Sequence, residues 1–172
     1  MITTERVLRL LEPAYVSDLT PRSLEELRAM HDECSQAELA LSYYRRLAQA
    51  RMEILEAEAS RRERGGSVED LIKDLPNILG ADGSRSTVAT TRGAPAADAP
   101  TMDLQWPDGR EQLVVDTTLA HLPTISDQEL ADTIAQLREF EGELSDLRGQ
   151  LHLVIDAVDK VLVDRRVAGT AG

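Results

Sequence analysis

Five polar residues at regular spacing mark the chemistry in this chain: Glu38, Ser42, Arg45, Gln49 and Glu53. Adding 103 to each number gives Glu141, Ser145, Arg148, His152 and Asp156, the same spacing with nearly the same chemistry. At about 100° per residue, each set of five lies within roughly 80° of one helix face. The rhythm is that of a coiled-coil seam, where apolar residues are the rule. Here it carries acids, hydroxyls, arginines, an amide and an imidazole. Arginine can fork onto O6 and N7 of guanine or take a phosphate oxygen. A carboxylate can accept two parallel hydrogen bonds from the N1–H and N2–H edge of the same base. Serine, glutamine and histidine add phosphate or base contacts. One copy alone reads as the solvated face of an amphipathic helix, where ion pairs contribute only about 0–1 kcal/mol. The second copy, at the same depth from an equivalent start, argues for a ligand.

These residues sit on two long predicted helices. Ser23 with Glu26, and Ser126 with Glu129, form the capping-box pattern. Each five-residue set begins fifteen residues beyond its cap, or roughly 22 Å along the axis. Helix one (23–65) has no Pro or Gly before Gly65. Its apolar stripe is Leu27, Met30, Cys34, Leu41, Tyr44, Ala48, Met52 and Leu55. Helix two (126–167) carries Leu130, Ile134, Leu137, Leu144, Leu147, Leu151, Ile155, Val158 and Leu162. Helices of this length point to a coiled coil. The connection is long enough for either an antiparallel pair or a parallel return.

The rest of the chain divides by composition. Residues 1–22 contain a short amphipathic piece, Glu5–Leu11, stopped near Pro13 and followed by an irregular connection. Its apolar residues either pack on the long helices or await a partner. Residues 66–79 read as a short helical segment. Residues 80–125 read as a mostly disordered linker, clearest in the Pro/Gly-rich stretch Gly80–Pro100. Within it Pro107-Asp108-Gly109 is a turn signal, and Leu113–Val115 suits a short strand or extended docking segment. Trp106 there reads as local packing or as an interface anchor. Residues 168–172 read as a disordered tail.

Composition narrows the function. The 172 residues include 31 acidic and 19 basic side chains, for a net charge of −12. That balance disfavours direct DNA binding or an anionic membrane surface, and favours a partner with basic surfaces. Five aromatic residues are too few for a large β-sandwich or barrel core. A single cysteine, Cys34, fits a reducing cytoplasm. No apolar run approaches a membrane span, and the first residues lack a signal-peptide layout. His31 and Cys34 could share a helix face, but a structural zinc needs four ligands, so no metal is expected. There is no phosphate-binding Gly-rich loop and no enclosed acid/base pocket, so an enzyme is not expected.

The pattern E-x3-S-x2-R-x3-Q-x3-D on two helices resembles RsiG, the cyclic di-GMP-dependent anti-sigma factor family of actinobacteria. The resemblance extends to LEPAYVSDL at Leu11–Leu19 and LREFEGELS at Leu137–Ser145. It implies an all-α fold, a long antiparallel coiled-coil hairpin of two helices. It also implies a regulatory ligand, cyclic di-GMP, bound as a dimer across the two motif faces. The armed protein would then sequester a WhiG-type sigma factor from RNA polymerase and repress late developmental, sporulation genes. By position, Arg45 and Arg148 would contact guanine and phosphate. Glu38, Glu141, Glu53 and Asp156 would read guanine donor edges, with Ser42, Ser145, Gln49 and His152 completing the set. Glu53 stands where Asp is expected and reaches one methylene further; His152 stands where Gln is expected and can change charge near neutral pH. The competing reading is a ligand-free coiled-coil interaction or dimerisation module. An RNA polymerase secondary-channel factor, which needs a short tight tip, fits the long connection poorly.

Overall fold

A computed structural model describes residues 4–67, 69, 72–73, 76, 105–115, 122 and 124–170. All regular elements among them are helical: α1 (Thr4–Leu10), α2 (Pro13–Val16), α3 (Leu24–Arg64), α4 (Gln112–Val115) and α5 (Asp127–Thr170). This is an all-α helical hairpin in which α3 packs against α5.

Both long helices start where their caps require. The Ser23 hydroxyl accepts from Glu26 N–H at 3.2 Å, and the Glu26 carboxylate accepts from Ser23 N–H at 2.6 Å. Ser126 and Glu129 repeat the exchange at 3.2 and 2.9 Å. These backbone and hydroxyl donors hold both glutamates below the usual carboxylate range.

Burial along each helix has a period of seven. On α3, Leu27, Cys34, Leu41, Ala48 and Leu55 are buried, and so are Met30, Ala37 and Tyr44 three residues after the first three of them. On α5, Leu130, Leu137, Leu144, Leu151 and Val158 are buried, joined by Phe140 and Val154. Taking Leu27 and Leu130 as position a of a heptad, the a and d places form a coiled-coil seam. Met52, Ile134 and Ile155 lie at its margin, half-buried, and Leu147 at a d place is half-buried too. In α3 the seam turns polar: the next two d places are Arg51 and Glu58, 7% and 1% exposed.

The chain forms two compact units, one from residues 1–43, 100–109 and 143–172, the other from 44–99 and 110–142. In the first, Leu27 and Met30 of early α3 cluster with Val158 and Leu162 of late α5. His31 lies 3.5 Å from Asp159. Leu19 joins this cluster, with Tyr15 and Val16 against it, while Val7 and Leu10 of α1 are buried. The N-terminal apolar residues therefore pack mainly on the hairpin, leaving Leu8 exposed. In the second unit, Glu56 pairs with Arg138 at 2.8 Å and Arg62 with Asp127 at 2.7 Å. In each unit contacts advance along α3 as they retreat along α5, so the helices are antiparallel.

Several local expectations are corrected. Pro13 does not merely stop α1; it occupies the first turn of α2, where its missing N–H costs nothing. Leu113–Val115 is not a strand but lies in the helical turn α4, closed by Leu113 N–H to Arg110 C=O at 3.0 Å and Val114 N–H to Glu111 C=O at 3.1 Å. A Val-Val pair favours a strand only beside a partner ladder, and no strand is present among the described residues. Part of the expected disordered linker is ordered. Gln105 C=O accepts from Thr4 N–H at 3.2 Å and from the Thr4 hydroxyl at 2.7 Å. Trp106 is buried, which is the local-packing reading. The Pro107-Asp108-Gly109 turn is present: Gly109 donates to Trp106 C=O at 3.0 Å with φ of +72°, a backbone angle suited to glycine. Helix α5 continues to Thr170, beyond the expected boundary at 167. Gly80–Pro100, His121, residues 171–172 and most of the 66–79 segment lie outside the described residues.

Gly149 lies mid-helix in α5, exposed, and an added Cβ there would meet nothing within 4 Å. Glycine costs a helix interior about 1 kcal/mol relative to alanine. Gly149→Ala is expected to raise the thermal midpoint by a few degrees, followed by helical circular dichroism. An unchanged or lower midpoint would show that Gly149 serves something other than helix packing.

Candidate functional site

Motif positions 38 and 45 on α3, and 141 and 148 on α5, all fall at heptad position e, flanking the seam. In an antiparallel pair, e positions face e positions. The structure turns that rule into two equivalent clusters, one in each unit.

In the first unit the cluster centres on Glu38. Its Oε1 accepts from Arg148 Nε at 2.7 Å and from the Ser42 hydroxyl at 2.8 Å, and lies 3.3 Å from His152 Nε2. Partial burial pushes the Glu38 carboxyl up, but hydrogen bonds from Arg148 and Ser42 and the Arg148 charge outweigh it. The net result is a carboxyl held below its ordinary value. In the second unit the cluster centres on Glu141. Its Oε1 accepts from Arg45 Nη1 at 3.2 Å and from Gln49 Nε2 at 2.9 Å. Arg45 and Glu141 are 26% and 20% exposed, so the pair is neither sealed nor fully wet. The Nε of Arg45 is buried with no hydrogen-bond partner among the described residues. That donor points to a site whose polar groups are incompletely matched by the protein itself.

The clusters correspond residue by residue at the offset of 103: Glu38 to Glu141, Arg148 to Arg45, His152 to Gln49. Each takes its carboxylate from one helix and its arginine and third donor from the other. Glu38, Ser42, Arg148 and His152 are thus gathered into one cluster, and Glu141, Arg45 and Gln49 into the other. Asp156 is exposed and outside both. Glu53 and Ser145 are half-buried.

Two arrangements escaped the sequence reading. The motif carboxylates are engaged by motif arginines of the opposite helix, which the e-to-e rule would have indicated once direction was known. The second is the network around Glu58, buried at a d place in the second unit. Glu58 accepts from Arg61 Nε at 2.6 Å and Nη2 at 2.7 Å, and from Arg62 Nε at 2.7 Å. Arg62 reaches on to Ile125 C=O at 2.9 Å, Leu122 C=O at 2.8 Å and Asp127 at 2.7 Å. Arg61 also donates to Gly66 C=O. The readable signal was a glutamate where the stripe called for an apolar residue.

His31 and Cys34 do not share a ligand set. His31 faces Asp32 and Asp159, whereas Cys34 is buried with its thiol 3.9 Å from the Tyr15 hydroxyl. Burial pushes the Cys34 thiol up, away from the reactive thiolate.

With this geometry in place, comparison with known families matches an RsiG-like family model to residues 13–79. This segment is similar to the RsiG-like family. It contains α2, α3 and the first motif, Glu38–Glu53, and ends before α5. The RsiG-like family suggests an anti-sigma factor role and implies a sigma factor as partner. It is a regulatory family, not a family of enzymes. A comparison with curated proteins finds no match. No helix among the described residues is long and apolar enough to cross a membrane.

Proposed function

We propose that this chain is an anti-sigma factor that binds cyclic di-GMP on its two motif clusters and, so loaded, sequesters a WhiG-type sigma factor from RNA polymerase. The observation that carries the reading is the duplicated set of carboxylate, arginine and amide or imidazole, one set in each unit. Guanine offers an acceptor edge to arginine and a donor edge to carboxylate, and cyclic di-GMP carries two guanines and two phosphates. The duplicated sets suit two nucleotides per chain. Arg45 and Arg148 turn from Glu141 and Glu38 to O6, N7 or phosphate oxygen, and the released carboxylates accept from N1–H and N2–H. Gln49 and His152 supply the third contact. The acidic surface of the chain suits the basic DNA-reading surfaces of a sigma factor. Sequestering it represses the late developmental genes it serves.

The test is calorimetric titration of cyclic di-GMP into the chain, alone and with the sigma factor. Saturation near two nucleotides per chain is expected, with loss in Arg148→Ala and much tighter sigma binding when nucleotide is present. Tight sigma binding without nucleotide would sink the arming mechanism. Absence of heat under either condition would return the clusters to ordinary interhelical ion pairs in a ligand-free coiled-coil module.

A further inference from the structure

The first unit holds a cavity that includes no motif residue in its lining. It measures about 380 Å³ and is lined by α1, α2, the connection to α3 and Glu33 of α3. Three arginines border it: Arg6, Arg9 and Arg22.

The three differ in what already holds them. Arg6 is paired with Glu33, which receives its Nη2 at 2.7 Å and its Nε at 2.8 Å. Glu33 also accepts from the Tyr15 hydroxyl at 3.3 Å. Arg22 is half-buried, and its described partners are all uncharged. Its Nε donates to Asp18 C=O at 3.1 Å, its Nη2 to Tyr15 C=O at 3.4 Å, and its Nη1 meets Met30 Sδ at 2.9 Å. Its charge is felt by the exposed Glu26 carboxylate, but no carboxylate is hydrogen-bonded or ion-paired to it among the described residues. Arg9 is exposed, and its side chain makes no described contact. The other carboxylate on the wall, Glu12, is exposed. Two guanidiniums, one held rigid and one able to swing, therefore remain for an anion. Tyr15, Leu10 and Ala14 give the cavity an apolar side. Its volume lies within the range of small-molecule sites and exceeds the need of a bare oxyanion.

The geometry points to a binding site for a small organic phosphate: an anionic head taken by Arg22 and Arg9, an apolar body against Tyr15 and Leu10. Guanidinium forks match phosphate oxygens in pairs, and a pre-held fork loses little freedom on binding. The site is independent of the motif clusters and stands whether or not those bind nucleotide.

Phenyl phosphate is the probe, titrated into the full chain and followed by two-dimensional amide NMR. Saturable shifts around Tyr15 and Arg22 are expected, with inorganic phosphate binding more weakly and phenol not at all. Arg9→Gln, which removes no described side-chain contact, is expected to weaken binding roughly tenfold. Arg22→Lys keeps the charge but loses the fork, and is expected to do the same. Arg148→Ala is expected to leave binding unchanged. Shifts that do not saturate, affinity unaltered in both Arg9→Gln and Arg22→Lys, or loss in Arg148→Ala would each overturn the assignment.

Discussion

Exchanging Glu38 and Arg148, as the double variant Glu38→Arg with Arg148→Glu, is expected to abolish cyclic di-GMP binding to the first unit's cluster while leaving the fold almost unchanged. The native pair is joined at 2.7 Å with side chains 23% and 34% exposed. Such a pair contributes about 1 kcal/mol at most, and the exchange re-forms it with the helices reversed. The thermal midpoint should therefore stay within a few degrees. Guanine cannot tolerate the reversal in the same way. Its acceptor edge would face a carboxylate and its donor edge a guanidinium. Each lost two-pronged contact is worth about 1–3 kcal/mol, so affinity should fall roughly a hundredfold or more. Calorimetry and thermal unfolding on the same samples separate the two roles. Undiminished nucleotide affinity would show that the cluster is a structural clasp and nothing more.

The second large effect concerns Glu58. Removing this 1% exposed carboxylate leaves three guanidinium N–H groups without their acceptor beside the seam. Breaking a buried ion pair costs about 3–5 kcal/mol. The arginine side chains are 16% and 18% exposed, which argues for the lower end. Glu58→Ala should lower the thermal midpoint by roughly 10 °C for a chain of this size. Acid offers an independent check. Hydrogen bonds from Arg61, set against burial and helped by Arg62, hold the Glu58 carboxyl below its ordinary range. A carboxyl lowered in the folded state stabilises it above the unfolded value, about 4.3, and that gain is lost as pH falls through the folded value. The stability gap between wild type and Glu58→Gln should therefore be full at pH 7 and shrink below about pH 4. A gap unchanged down to pH 3 would mean the Glu58 charge contributes nothing.

Much of this architecture is legible in the sequence, for identifiable reasons. The helix starts are local chemistry: Ser23 with Glu26 and Ser126 with Glu129 bind each other's backbone whatever the rest of the chain does. The stripes are legible because the seam repeats every seven residues over forty. What failed was read from propensity without knowledge of neighbours. Pro13 looked only like a stop; α1 does end at Leu10, but Pro13 also opens α2. Val114 and Val115 looked extended and lie in a helical turn. Trp106, by contrast, is buried within the first unit, in keeping with the local packing expected of a lone tryptophan. The site was legible as a set of residues but not as a set of contacts. Nothing in the spacing said that Glu38 would meet Arg148 rather than Arg45, its neighbour on the same face. That required the helix direction, and with it the pairing of e positions.

The engaged carboxylates have a quantitative consequence. On the function proposed above, the receptor would carry a tethered rival for its own arginines, present at a fixed and very high local concentration. Every 1 kcal/mol by which Glu38 or Glu141 holds its arginine raises the nucleotide level needed for half-occupancy by roughly fivefold. Lengthening, shortening or neutralising those two side chains would reset the sensitivity of the response without touching the surfaces that meet a partner. The strength of two surface ion pairs would then be the dial on which a cell's threshold for the second messenger is set.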